Sequence, residues 1–248
     1  MVDTAPVRAF LDEQHIALAE RVSEFATRVL APLAEPADDQ AARHQARDLL
    51  AQLGAAGWFE PIRVQDWRAC CLVREALAAA SPLADAVFAL QALGVVPMLL
   101  SANETMRKRW LEPAIQGRAM ASFAMTEPDA GSDVASLGTT AQPERDGYVL
   151  SGTKTFISNA GIADFYTVFA TIDRAKRDKG IACFVVAADT PGVRFVRPLE
   201  LSSPHPLGEI AFEAAHVPAD CRLDGDGHGF KLGLATLDRV RATVGAAA

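Results

Sequence analysis

Phe123-Ala-Met-Thr-Glu-Pro-Asp-Ala-Gly-Ser-Asp133 is the stretch on which the reading of this chain turns. An apolar, strand-like run from Ala119 to Met125 stops at Thr126-Glu127, and Pro128 cannot donate to a continuing ladder. Asp129-Ala-Gly-Ser-Asp133 follows and is dense in turn formers. Such a turn can gather backbone N–H groups and two hydroxyls, those of Thr126 and Ser132, around one polar ligand. Alone it reads first as an ordinary exit from a strand into a turn. Its surroundings decide otherwise.

Upstream the chain has a helical period. Leu11, His15, Leu18, Val22, Phe25 and Val29 recur at spacings of four and three, one stripe of an amphipathic helix ended by Pro32 and Pro36. His15 on that stripe reads as a structural histidine. Further helices are expected over 41–53, closed by Gly54 and Gly57, and over 66–80. Ser81-Pro82 opens another that is apolar almost all round from Leu83 to Leu100, central to the helical layer. Ser101-Ala-Asn-Glu104 has capping-box spacing for a last helix to about Gln116.

From Ala119 the period shifts toward two. Strands are expected over 119–126, 137–142, 147–151, 153–158, 165–172, 180–187, 193–197 and 209–213, separated by turn signals such as Asp146-Gly147 and Asp189-Thr-Pro-Gly192. Many short strands at this spacing predict an antiparallel β-barrel or sandwich. No βαβ rhythm supports a doubly wound fold. After the glycine turn Asp224-Gly-Asp-Gly-His-Gly229 the helical period returns to the end of the chain. The fold class is therefore α+β: a helical domain over 1–118, a β-domain over 119–226 and the start of a second helical domain over 227–248.

Composition bounds the function. In 248 residues, 50% are hydrophobic and 22% charged, which is globular. A formal charge of −7 with no long Lys/Arg block gives no nucleic-acid footprint. Cys70, Cys71, Cys183 and Cys221 lack C-x-x-C spacing and read as reduced thiols of a cytoplasmic protein. The five histidines are scattered, so no metal site is expected. The N-terminus has no basic n-region, and Val87 to Leu100 is too short to span a bilayer and contains Gln91 and Pro97.

A second polar stretch matters as much as the first: Asp146-Gly-Tyr-Val-Leu-Ser-Gly-Thr-Lys-Thr-Phe-Ile-Ser-Asn-Ala-Gly161. Strand alternation over 154–158 puts Lys154, Phe156 and Ser158 on one face and Thr155 and Ile157 on the other. An aromatic ring beside a hydroxyl suits a flat heteroaromatic ligand with polar ring atoms. A cross-strand Phe with a solvent-facing Ser is the plain alternative.

Together, the 124–133 and 146–161 stretches closely resemble the acyl-CoA dehydrogenase family. Arg109-Trp-Leu-Glu-Pro113 with Gly117, Glu209-Ile-Ala-Phe212 with Val217-Pro218, and Gly229-Phe230 with Leu237-Asp-Arg-Val-Arg241 match it in order. The resemblance implies an FAD-dependent oxidoreductase that dehydrogenates an acyl thioester between its α and β carbons. A carboxylate takes the α proton and the flavin takes a hydride. It implies flavin contacts from Phe123, Met125, Thr126, Gly131, Ser132, Phe156, Ile157 and Ser158, with Ser158 near the hydride-accepting nitrogen. The family usually has Trp and Thr where this chain has Phe156 and Ser158. The resemblance also implies contacts to acyl-CoA from Ser132, Asp238 and Arg241. Partners would be an acyl-CoA or acyl-carrier thioester, an electron-transfer acceptor, and further subunits in a homo- or hetero-oligomer.

The chain departs from the family pattern at its end. A C-terminal four-helix domain takes on the order of 100 residues, and residues 230–248 alone follow the glycine turn. Val240 stands where some relatives carry a catalytic glutamate, so no catalytic base is found. Phe230, Leu234, Leu237 and Val244 are expected to lack packing partners, which predicts association. The stretch after Trp58 is also shorter than in relatives. Three readings follow: one half of a split dehydrogenase whose partner subunit carries the helical domain and the base, a catalytically inactive truncated scaffold, or a binding module that kept the fold. Glu127 is read as part of the turn, not as the base.

Overall fold

The computed structural model describes residues 2–225 and 227–248. Helices α1 (Glu13–Phe25), α2 (Asp39–Ala55), α3 (Glu60–Arg63), α4 (Trp67–Ala80), α5 (Pro82–Leu100), α6 (Glu104–Met106) and α7 (Glu112–Ile115) precede the sheet, and α8 (Gly229–Ala247) follows it. Asp226, in the glycine turn, lies outside the described residues.

Polar side chains at helix ends set the helical layer. The Asp12 N–H donates to His15 Nδ1 at 3.1 Å, while His15 Nε2 lies 2.9 Å from Asp66. Asp66 is itself the N-cap of α4, accepting from the Ala69 N–H. His15, 1% exposed, therefore ties two helix starts together. Ser81 caps α5, with Pro82 at the first helical position. Ser101 does not open the next helix: its hydroxyl turns back to the Met98 carbonyl, and Asn103 is the cap, accepting from the Met106 N–H at 2.9 Å. Length does not exclude a membrane span for α5, contrary to expectation. Its 19 residues are long and apolar enough, but its most apolar window is 72% buried, as for a core helix.

Gln91 explains how α5 meets the sheet. Fully buried, its amide donates to the carbonyls of Ala114 and Ala119 and accepts from the Ala121 N–H. One side chain thus joins α5, the end of α7 and the first strand, with each polar atom satisfied.

The sheet is β1 (Ala121–Ala124), β2 (Thr140–Pro143), β3 (Gly147–Ser158), β4 (Phe165–Thr171), β5 (Ile181–Ala187), β6 (Val193–Pro198) and β7 (Leu207–Pro218). Its order is β1-β4-β2-β3-β7-β6, with β5 paired to β4. It is a mixed sheet where antiparallel pairing alone was expected. β1 runs parallel to β4 from Ala121↔Phe165 to Ala124↔Val168, and β2 meets β4 in parallel at Thr140↔Thr171. The Asp164 carboxylate accepts the Met120 N–H at 2.6 Å and the Asp164 N–H donates to the Met120 carbonyl, which starts β4 in line with β1. The expected 147–151 and 153–158 strands are one strand, β3, bent at Gly152 (φ +151°), where a Cβ would meet Thr139 Oγ1 at 2.5 Å.

Helix α8 docks back on the helical layer. Gly233, Thr236, Val240 and Thr243 are buried. Arg74 of α4 grips Asp85 of α5 through two bonds of 2.7 Å and donates a third, at 2.9 Å, to Thr243 Oγ1. Phe230 and Leu237 pack against the core, contrary to expectation, while Leu234 and Val244 remain exposed. All four cysteines are free.

Candidate functional site

The chain leaves the edge of β4 after Ala124 and returns to it at Thr140, so residues 125–139 form an excursion. Its first turn is tight: Glu127 and Ala130 exchange backbone hydrogen bonds of 3.1 and 3.2 Å, with Pro128 and Asp129 at the corner. Beside it runs β3. The Thr155 N–H donates to the Thr126 carbonyl at 3.0 Å. The two stretches singled out in the sequence are therefore neighbours.

Lys154 holds them together. Its side chain is 0% exposed and its ammonium donates to the Met125 carbonyl (3.0 Å), the Phe169 carbonyl (2.6 Å) and Glu127 Oε1 (2.7 Å). The Glu127 carboxylate also accepts the N–H groups of Gly138 and Thr139, at 2.5 and 3.0 Å. Burial pulls the Lys154 ammonium below its ordinary value, against the pull of Glu127. Burial pushes the Glu127 carboxyl upward, but Lys154 and the hydrogen bonds from Thr139 and Gly138 outweigh it and leave it below the usual range. Glu127 is thus a structural anion that clamps both ends of the excursion.

Strand alternation fails at this point. Phe156 has φ +55° and is 64% exposed, whereas Lys154 is fully buried. The shared face expected for Lys154, Phe156 and Ser158 is corrected, because the register against β7 shifts between Lys154 and Ile157 and rotates the strand. The irregularity presents a large aromatic ring to solvent while keeping the ammonium inside.

The other candidate residues divide by exposure. Gly131 and Ser132 are exposed, and Phe123, Thr126 and Ser158 are half-buried. The Phe123 ring packs on Phe169 with centroids 5.0 Å apart. Met125 and Ile157 are buried, so their side chains serve the core. Met125 abuts Gly233 of α8, where a Cβ would stand 2.4 Å from its Cε. Asp238 and Arg241 are exposed on α8 and pair with each other at 3.4 Å. Val240 beside them is 3% exposed.

Sequence reasoning missed Lys154 as an anchor, and it missed His205. His205 Nε2 lies 2.9 Å from Ser158 Oγ. Neither residue carries a local signal, since each acts across strands. Away from this site, Glu144, Asp146 and His216 bring exposed ligand-type atoms within 4.8 Å of one another, a grouping that sequence spacing hid.

Comparison with known proteins bears on the family and the fold. Residues 12–118 match the model of the acyl-CoA dehydrogenase N-terminal domain, and residues 122–215 match that of the middle domain. The chain belongs to the acyl-CoA dehydrogenase family. It is 34% identical over 249 residues to a probable acyl-CoA dehydrogenase of Mycobacterium leprae, covering 96% of this chain and 63% of that protein. Its structure resembles butyryl-CoA dehydrogenase from Megasphaera elsdenii (TM-score 0.86, 26% identity, 96% of this chain, 65% of that one). It also resembles PigA with FAD and proline (TM-score 0.83, 27% identity, 96% and 64%). The chain spans a little under two thirds of the length of these relatives.

Proposed function

We propose that this chain is the FAD-binding part of an acyl-CoA dehydrogenase acting on an acyl-CoA or acyl-carrier thioester. The observation that carries the reading is the Thr155-to-Thr126 hydrogen bond of 3.0 Å, which sets the 123–132 stretch against 156–158. The residues suit a flavin. An exposed Phe156 ring offers a face for stacking, and Thr126, Ser132 and Ser158 offer hydroxyls. A Cβ added at Gly131 would meet nothing within 4 Å, so a ligand can approach the backbone there. The solved PigA complex, which contains FAD, supports the same reading.

Bound FAD would supply the two-electron chemistry of dehydrogenation. The chain's own residues would bind and orient it, while Ser132, Asp238 and Arg241 would contact the acyl carrier. Glu127 cannot take the α proton, because Lys154 and two backbone N–H groups already hold it. Val240 has no proton-accepting group. The base would therefore come from another segment or subunit carrying the helical domain, in a homo- or hetero-oligomer that passes electrons to a separate acceptor. The exposed Leu234 and Val244 support such a contact.

The buried Val240 favours a second reading, a catalytically silent scaffold of the same fold. FAD titration of the purified chain, followed by flavin absorbance, tests the first reading: saturable binding is expected, and none contradicts it. Dehydrogenation of an acyl thioester by the chain alone would eliminate the silent scaffold.

A further inference from the structure

We propose that His205 is a positioning residue of the flavin site: its Nε2 holds the Ser158 hydroxyl and sets which way that hydroxyl can donate. This rests on the reading that Ser158 faces the flavin.

The pair is built in from both sides. Ser158 ends β3, and its carbonyl accepts the Ser122 hydroxyl at 2.6 Å. The next residue, Asn159, donates its N–H to the Pro206 carbonyl at 2.7 Å. The Ser158-Asn159 and His205-Pro206 backbones are thereby joined beside the 2.9 Å contact between the side chains. From α2, Arg43 donates to the Leu207 carbonyl at 2.9 Å and pairs with Asp39 at 2.6 Å. Glu35 borders the same loop at Ser203 and Pro204. Burial and the Arg43 charge hold the imidazole below its ordinary pKa, with Asp39 opposing them. That environment favours the neutral imidazole.

A serine hydroxyl has one proton, and a neutral imidazole offers at Nε2 either a proton or a lone pair. When Nε2 donates, Ser158 is free to donate outward. When Nε2 accepts, Ser158 gives its proton to the ring and presents only lone pairs outward. Neutral His205 thus lets the hydroxyl serve an outside acceptor or an outside donor by exchanging tautomers. That suits a flavin ring nitrogen that accepts a hydrogen bond when oxidised and carries hydrogen when reduced. An imidazolium permits only the first arrangement.

The test compares wild type with His205→Ala, His205→Gln and Ser158→Ala in the full chain. FAD affinity, the flavin visible spectrum and the flavin reduction midpoint are measured from pH 5 to pH 8. His205→Ala is expected to weaken FAD about fivefold and to alter the flavin spectrum. His205→Gln, which keeps a polar group near the Nε2 position, is expected to restore most of the affinity while removing the inflection that His205 titration adds to the flavin's own fall of midpoint with pH. Imidazole ¹⁵N shifts of His205 in the FAD-free chain are expected to change in Ser158→Ala. If His205→Ala binds FAD with wild-type affinity, spectrum and pH profile while Ser158→Ala does not, the inference fails and the flavin reading stands. It also fails if Ala and Gln lose affinity equally along with thermal stability, for then His205 only anchors its loop. No FAD binding by wild type overturns both.

Discussion

Glu127–Lys154 and Asp238–Arg241 are both acid–base pairs on the stretches that resemble the family's ligand-binding segments, yet they are built oppositely. The first spans 2.7 Å with side chains 6% and 0% exposed, and backbone groups complete its hydrogen bonding. The second spans 3.4 Å with both side chains 69% exposed. Charge buried in the sheet is wholly engaged in holding the 125–139 excursion open. Charge on α8 remains available. A ligand at the sheet therefore meets a ring and hydroxyls, whereas a ligand at α8 meets charge.

The comparison breaks most visibly at the buried pair. Glu127→Gln leaves the Lys154 ammonium without its carboxylate, and a loss of about 3–5 kcal/mol in urea unfolding is expected. An unchanged midpoint would mean the clamp is not structural. The pair also predicts acid sensitivity. The folded Glu127 carboxyl lies below its unfolded value, so its stabilisation is complete above about pH 4.3. It is lost as pH falls through the lower folded value. Wild type should lose stability in that window more steeply than Glu127→Gln.

Next in size is the attachment of α8. Thr243→Val removes one acceptor from the buried Arg74 and should cost about 1.5–3 kcal/mol. Faster amide exchange along α8 would locate the loss. Phe156→Ala should leave stability within about 0.5 kcal/mol, since the ring is exposed, while FAD affinity falls about tenfold. A large stability loss would show that the ring packs instead. The smallest effect is expected at Arg241→Ala, within about 0.5 kcal/mol of wild type. A weakened affinity for acyl-CoA would then mark Arg241 as a ligand contact.

Local patterns in the chain carried much of this. The helix starts at Asp66 and Ser81 were legible because a cap bonds a neighbour three residues on, whereas the caps at Asp12 and Asp38 were not read and the second helix was expected to begin only at residue 41. The turn at Glu127 to Ala130 was legible from Pro128 and its polar neighbours. Strand neighbours were not. Alternation says which face a residue takes but not which edge pairs, so the parallel β1–β4 and β2–β4 contacts were invisible. The rotation at Phe156 also escaped, because an irregular register depends on the partner strand. Alternation puts Lys154 on the face of Phe156 and Ser158, and its anchoring role shows only when the carbonyls of Met125 and Phe169 are seen beside it. His205 reaches Ser158 across 47 residues and carries no spacing signal.

The central claim, that the 123–132 and 156–158 stretches form one flavin-binding wall, is tested most directly by amide chemical-shift mapping. The ¹⁵N-labelled chain is titrated with FAD and followed residue by residue. The largest changes are expected at Thr126, Gly131, Ser132, Phe156 and Ser158, saturating together, with Asp238 and Arg241 little affected. Saturable changes centred on any other surface, or no changes at all, would contradict it.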